Sequence, residues 1–237
     1  MKAKLIFIVF LLILVSTSSC FFDGVKGNGN VVTKIRHISD DFIRIKASAG
    51  INVFITQNGK TSLLVEADEN LHELIVTEVK NGTLYINIKK KIWHSKAKNI
   101  HLTIEEINEI EVSGGSRVTS ENTLNTDDLK IIATNGAKVN LSVHVNNLNC
   151  ESSRGADINL EGTAKFFNVN SSSGSDIDAF GLNVINCVAK ASGGSDIKVN
   201  VEKSFEAKAT SGADIRFKGN PEVVTTKNSF AGKVKKS

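Results

Sequence analysis

Four aspartates recur at one place in this chain. Asp157, Asp176, Asp196 and Asp214 each stand two residues after a glycine and directly before an isoleucine. Carboxylates repeated at one register could form an oxygen-rich edge for a divalent cation such as Ca²⁺, which takes several oxygen ligands, or for sugar hydroxyls. Two of them could also act as acid and base on a polysaccharide, as lyases do. A plainer role is open as well, because aspartate beside a tight glycine corner bonds nearby backbone N–H groups. Arg117 and Lys138 hold the same place in the two earlier copies. There they would partly offset the repulsion of like charges stacked in one row.

The other reactive side chains form no comparable set. His37, His72, His94, His101 and His144 are scattered singly, without the paired spacing of a zinc site. Serines crowd beside glycines, yet no Gly-x-Ser-x-Gly elbow occurs. Gly27-Asn28-Gly29-Asn30 lacks the Lys-Ser/Thr of a phosphate loop. No catalytic residue, metal ligand set or cofactor motif is assigned. Lys89-Lys90-Lys91-Ile92-Trp93-His94-Ser95-Lys96-Ala97-Lys98 is a basic run with one aromatic, suited to a solvated loop or to an anionic membrane or polysaccharide surface.

What positions the aspartates is a repeat. Gly115, Gly136, Gly155, Gly174, Gly194 and Gly212 open six similar tetrapeptides, spaced 21, 19, 19, 20 and 18 residues apart. Aligned on that glycine, apolar or small residues fall seven, five and three positions before it and three and five after it. Leu148, Cys150 and Ser152, then Ile158 and Leu160, show the pattern around Gly155. A period of two means strands with one face inward. A unit of ~20 residues cannot bury that face alone, so the units stack ~4.8 Å apart as a parallel β-solenoid. The motif glycine marks a corner needing positive φ or close backbone approach, and Gly162, Gly181 and Gly219 mark a second corner. Residues 31–112 are β-rich without the register and read as irregular coils of the same stack. Asn81-Gly82 is a hairpin turn there, and Asp68–Leu74 suits one helical turn. Gly232-Lys233-Val234 reads as a worn last unit. Cys150 and Cys187 fall in inward columns two turns apart. Two rises of ~9.6 Å exceed the ~7 Å reach of a disulfide, so both are expected free and buried.

The opening twenty residues read as an address. Lys2 and Lys4 precede the apolar run Leu5–Val15, and small residues lead to Cys20. The run is short for a bilayer span of ~20 residues and reads as a cleaved signal. It resembles a bacterial lipoprotein signal, which implies lipidation of Cys20 and attachment to a membrane without a spanning helix. The expected organisation is 1–19 signal peptide, 20–30 lipidated cysteine and flexible tether, and 31–237 one β-helix domain with regular repeats over 113–220.

Composition agrees with this. The chain is 41% hydrophobic and 23% charged, enough for a core and against wholesale disorder, and one Pro and one Met among 18 Gly suit turn-rich β structure. Net charge is +4, and without residues 1–19 it is 27 bases against 25 acids. That balance excludes nucleic acid as the expected partner.

Gly29-Asn30-Val31-Val32, Phe42–Ile45, Ser48-Ala49-Gly50-Ile51-Asn52-Val53 and Glu66–Leu71, with the Ser-Gly-Gly-Ser and Ser-Gly-Ala-Asp corners, resemble the head-GIN-domain family of auto-transporter adhesins. Gly50-Ile51-Asn52 is the tripeptide of the family's name, and the likeness covers about 29–220. It implies a right-handed, pectin-lyase-like parallel β-helix and a role in adhesion without established catalytic residues. The resulting expectation is a non-catalytic, lipid-anchored protein of the cell envelope, at the outer membrane on its periplasmic or surface face. Its ligand would be a glycan or a surface protein. The alternative is a carbohydrate-active lyase or hydrolase on the same scaffold.

Overall fold

The computed structural model describes residues 24–38 and 41–237. The signal segment and Cys20 lie outside the described residues. The chain winds into a solenoid of about seven turns of about 19 residues. Long strands Lys138–Ser153, Asp157–Ser172, Asp176–Ser192 and Asp196–Thr210 lie side by side, each parallel to the next. Their register is the one the glycine alignment predicts: Val139, Ile158, Ile177, Ile197 and Ile215 are direct neighbours. All five are buried, as are Leu129, Leu148, Phe167, Cys187 and Phe205 in the column seven before the glycine. One continuous apolar core results. Where the inward columns thin to Ala207 and Ala209, Phe205 and Phe217 fill the gap with rings 4.8 Å apart. Cys150 and Cys187 are free and buried, and burial pushes both thiols well above their ordinary range.

Each regular turn closes at a corner of two consecutive residues with positive φ, the pattern of a type I′ turn. Asn135 and Gly136 (55° and 70°) and Ser173 and Gly174 (56° and 66°) are examples. A Cβ on Gly136, Gly155, Gly174, Gly194 or Gly212 would meet nothing within 4 Å. Glycine stands there for its φ, not for room. Its amide then donates to the next turn's corner, as Gly155 N–H does to the Ser173 carbonyl at 3.2 Å. The second corner differs, for Gly162 has φ +111° and a Cβ there would lie 2.0 Å from the Val143 carbonyl oxygen.

Ala49 and Gly50 (φ 68° and 74°) form the same corner, and Asn52 and Val53 register with Arg117 and Val118. Gly50-Ile51-Asn52 is therefore the earliest of the stacked corners, a member of the repeat whose flanks had hidden it.

Three expectations need correction. Residues 31–112 are not simply irregular coils of one stack. Strands Arg44–Ala47 with Asn52–Gln57, and Glu109–Val112 with Arg117–Ser120, are parallel turns. Between them the chain leaves the stack and returns on its far side. There Thr83–Ile88 and Lys98–Ile104 form the outermost parallel turn, ahead of residues 44–57 in space though later in sequence. Antiparallel strands then cover that end: Ser62–Asp68 lies between Lys98–Ile104 and Val31–Arg36, and Ile75–Lys80 pairs with Thr83–Ile88 across the Asn81-Gly82 turn. The physical reason is the open edge of a parallel stack, which needs partners for its N–H and C=O groups.

The segment 24–30 is no free tether. Val25–Lys26 pairs with Ile92–His94, and the amides of Asn28 and Gly29 donate to Asn70 Oδ1 and Asp68 Oδ2 at 2.9 and 2.8 Å. Finally, Lys233 registers with Asp214, so Ala231 (φ 62°), not Gly232, occupies the corner of the last turn. The helical turn expected over 68–74 is the 3-10 turn Glu69–Leu71.

Candidate functional site

The four aspartates do stack. Asp157 registers with Asp176, Asp176 with Asp196 and Asp196 with Asp214. The row is bracketed by cations, Arg117 and Lys138 at one end and Lys233 at the other. Lys138 Nζ lies 3.0 Å from Asp157 Oδ2. Burial first, then Asp196 and Asp157, push the Asp176 carboxyl up, while the Asp196 backbone amide and Lys198 pull it down. Four carboxylates strung along a line do not converge, and no group of three or more His, Cys, Asp or Glu among the described residues could hold a metal.

Backbone bonding is shared between the aspartates, with the Asp196 amide donating to Asp176, and their inward neighbours. Ser116, Ser175 and Ser195, one residue after the motif glycine, are fully buried, with Ser152 and Ser171 beside them. Ser116 Oγ accepts from the Gly50 and Ile51 amides at 3.0 and 3.2 Å. Ser195 Oγ donates to the Ser171 carbonyl at 2.9 Å, and Ser171 Oγ to that of Ser175 at 2.9 Å. Ser116 and Ser195 tie turns together and Ser171 closes its own corner, so each buried hydroxyl is bonded. The clue was the small-residue slot, which holds serine in three copies and alanine in three.

The histidines stay apart. His72 is buried with Nε2 3.1 Å from the Val32 carbonyl oxygen, His101 stacks on Phe54 at 5.2 Å, and His144 Nδ1 meets Thr163 Oγ1 at 2.6 Å.

Chemistry that faces outward lies in open grooves along the strands. One of about 590 Å³ is lined by Glu106, Asn125, Asp127, Asp128, His144 and Asn146. Asn146 and Asn147 donate across one turn to Asp127 and Asp128 at 2.7 and 2.8 Å. A second, about 570 Å³, places the half-exposed Phe166 among Asn147, Asn149, Asn168 and Asn186. An aromatic face amid amides and carboxylates can stack on an apolar ring face and bond hydroxyls around it. Sequence reading passed over both grooves, because outward positions carry no period that sets one apart.

A single site of singular residues sits at the covered end. Asp68 is 1% exposed and accepts from the backbone amides of Gly29, Lys96 and Ala97 at 2.8, 2.9 and 3.0 Å. Burial alone would push its carboxyl up; the three amides outweigh burial and hold it below the ordinary range. A Cβ on Gly27 would fall 2.1 Å from its Oδ2, so the segment passes closely over this carboxylate.

A β-solenoid with a covered end and polar ladders outside is a repeat scaffold that presents surfaces. The chain belongs to the head GIN domain family: the family described as "Putative auto-transporter adhesin, head GIN domain" matches residues 41–221. It is similar to the crystal structure of a "putative adhesin" from Bacteroides fragilis, at 29% identity and TM-score 0.85, over 90% of this chain and 100% of that one. A "putative adhesin" from Parabacteroides distasonis is similar at 25% identity and TM-score 0.68, over 91% and 100%. A "putative lipid binding protein" of the same species shares the fold at 22% identity and TM-score 0.72, over 90% and 99%. No curated protein matches the chain.

Proposed function

We propose that this chain is a non-catalytic adhesion module of the bacterial cell envelope, held to the outer membrane through lipidated Cys20, with residues 1–19 as its removed signal. Its ligand is a glycan or a surface protein. The single observation that carries the reading is the pair of open grooves on the regular face, where amides and carboxylates recur at every turn beside Phe166. Family membership supports the adhesive role. A glycan array and a pull-down with the full chain test it: Phe166→Ala should weaken the captured ligand by about tenfold, the scale of one lost ring contact. Undiminished capture would remove the groove from the reading. Metabolic labelling with a palmitate analogue should tag the wild type and not Cys20→Ala.

One observation favours an enzyme instead, since Glu106, Asp127, Asp128 and His144 share a groove. On that reading, polysaccharide incubated with the chain gains new chain ends, and Asp127→Asn with Asp128→Asn abolishes the gain.

A further inference from the structure

The covered end of the solenoid carries a surface that the adhesive reading leaves unused. We propose that the segment 89–98, together with Lys26, is a membrane-contact face that takes up anionic phospholipid headgroups and seats the covered end of the solenoid on the bilayer. Three observations converge there.

The first is charge. Lys26, Lys89, Lys90, Lys91 and Lys96 are all exposed, and residues 89–98 contain no acid. Asp68, which accepts from the Lys96 and Ala97 amides, is buried and turned inward, while the exposed Glu69 and Glu73 stand at the rim of the face, beside Asn70 and Leu74 that bond the Lys26 carbonyl and the Lys89 amide. The second is an aromatic. Trp93 is 48% exposed on the strand Ile92–His94, amid those lysines. Tryptophan favours the headgroup level of a bilayer, where an apolar ring and a polar N–H are both accommodated.

The third is where the chain comes from. Val25–Lys26 pairs in parallel with Ile92–His94, with the Val25 amide on the Lys91 carbonyl and the Gly27 amide on that of His94, both at 2.8 Å. Gly24 lies against the indole, for a Cβ on it would fall 1.5 Å from Trp93 Nε1. Cys20 is four residues before Gly24. Four residues reach at most ~14 Å whatever their path. An acyl group on Cys20 would therefore enter the membrane within that reach of Gly24, beside this face. This third step rests on the lipid-anchor reading; the charge and the ring do not. A single anchor point leaves a rod free to swing, whereas a basic aromatic face beside it fixes which end lies down. The opposite end, with Val223, Val224 and Phe230 exposed, then points away from the bilayer.

Trp93 is the chain's one tryptophan, so its emission reports this face alone. The full chain is reconstituted in vesicles of phosphatidylcholine, with and without phosphatidylglycerol, carrying brominated acyl chains as quenchers. Leader or anchor enters both lipids, so the difference between them isolates the face. The expected result is a blue-shifted, quenched Trp93 with phosphatidylglycerol and a weaker effect without it, reversed by added salt. Each lysine at an anionic surface strengthens binding about fivefold. Lys89→Gln/Lys90→Gln/Lys91→Gln should thus lower the affinity of the face by about a hundredfold before screening. Lys227→Gln/Lys235→Gln/Lys236→Gln, at the other end, should change nothing. The proposal is overturned by equal emission in the two lipids. It is equally overturned if the far-end variant removes the phosphatidylglycerol dependence, or if Trp93 responds to an anionic polysaccharide and not to anionic vesicles. Failure of palmitate labelling at Cys20 would end the anchor reading and leave the phosphatidylglycerol comparison standing.

Discussion

The turns between residues 113 and 220 and the covered end between 24 and 108 place polar groups by opposite means. In the regular turns polar residues stand in columns beside equivalent positions of the next turn: aspartate on aspartate, asparagine bonded to asparagine as Asn159 is to Asn140 at 2.9 Å, and lysine on aspartate as Lys138 is on Asp157. At the covered end the groups are singular. Asp68 gathers three amides, and Arg36 Nη2 donates to the His72 carbonyl at 2.5 Å. Columns are tolerant because a lost member leaves the others in register. A singular group has no understudy, and its loss opens whatever it closed.

The comparison breaks most visibly where a column does become unforgiving. Gly162 and Gly174 are both left-handed and one turn-segment apart, yet only Gly162 lies over backbone, 2.0 Å from the Val143 carbonyl oxygen for a built Cβ. Gly162→Ala must shift one turn against the next and should cost ~3–5 kcal/mol. Gly174→Ala adds its methyl to open space and should cost only the left-handed penalty, ~1–2 kcal/mol. Ala231 already accepts φ 62° at the equivalent corner. Urea midpoints of the two variants measure the difference. Equal losses would mean that the corner, not the close approach, governs how turns stack.

Asp68→Asn tests the singular side. The neutral amide retains one acceptor oxygen where the carboxylate uses two, so the Gly29, Lys96 and Ala97 amides should exchange at least about tenfold faster, with the regular turns unchanged. Because its carboxyl is held below the ordinary range, Asp68 supports the fold at pH above the carboxyl's unfolded value. That support fades as pH falls through the lowered folded value. Acid should therefore release the segment 24–30 and the loop at 96–97, and Asp68→Asn should abolish that pH dependence. Protection that holds in the variant would show that strand Val25–Lys26 needs no clasp.

How legible each region was follows from the same contrast. Six copies of one tetrapeptide gave turn length, facing and register, down to which cysteines point inward, because a stack imposes one period on all its members. The Gly50 corner escaped notice, since the chain from 58 to 108 departs before the next turn and breaks the interval. Asp68 could not be picked out, because its three partners come from residues 29, 96 and 97, which only the antiparallel return brings together. The grooves were equally hidden. Inward positions are constrained to be apolar, but an outward Asp127 or Phe166 is one variable residue among many until neighbours are placed beside it.

The smallest effect belongs to the feature that looked most like chemistry. Asp176 sits inside the row, with Asp157 on one side and Asp196 on the other, and its carboxyl is harder to ionise folded than unfolded. Such a group weakens the fold at pH above both values; the penalty begins to fade as pH falls through the folded value and is gone below the unfolded one. Lys138 relieves Asp157 directly at 3.0 Å, and Lys198 is engaged by Asp178 at 2.9 Å, so neither ammonium is bonded to Asp176. Asp176→Asn keeps the shape, removes the repulsion and should leave stability unchanged or slightly raised at neutral pH. Added salt should narrow the gap between variant and wild type, because exposed charges are screened. Thermal unfolding at low and high ionic strength reads both effects. If Asp176→Asn instead lowered stability and Ca²⁺ raised that of the wild type alone, the row would have to be a cation edge, and the regular turns would hold a singular site after all.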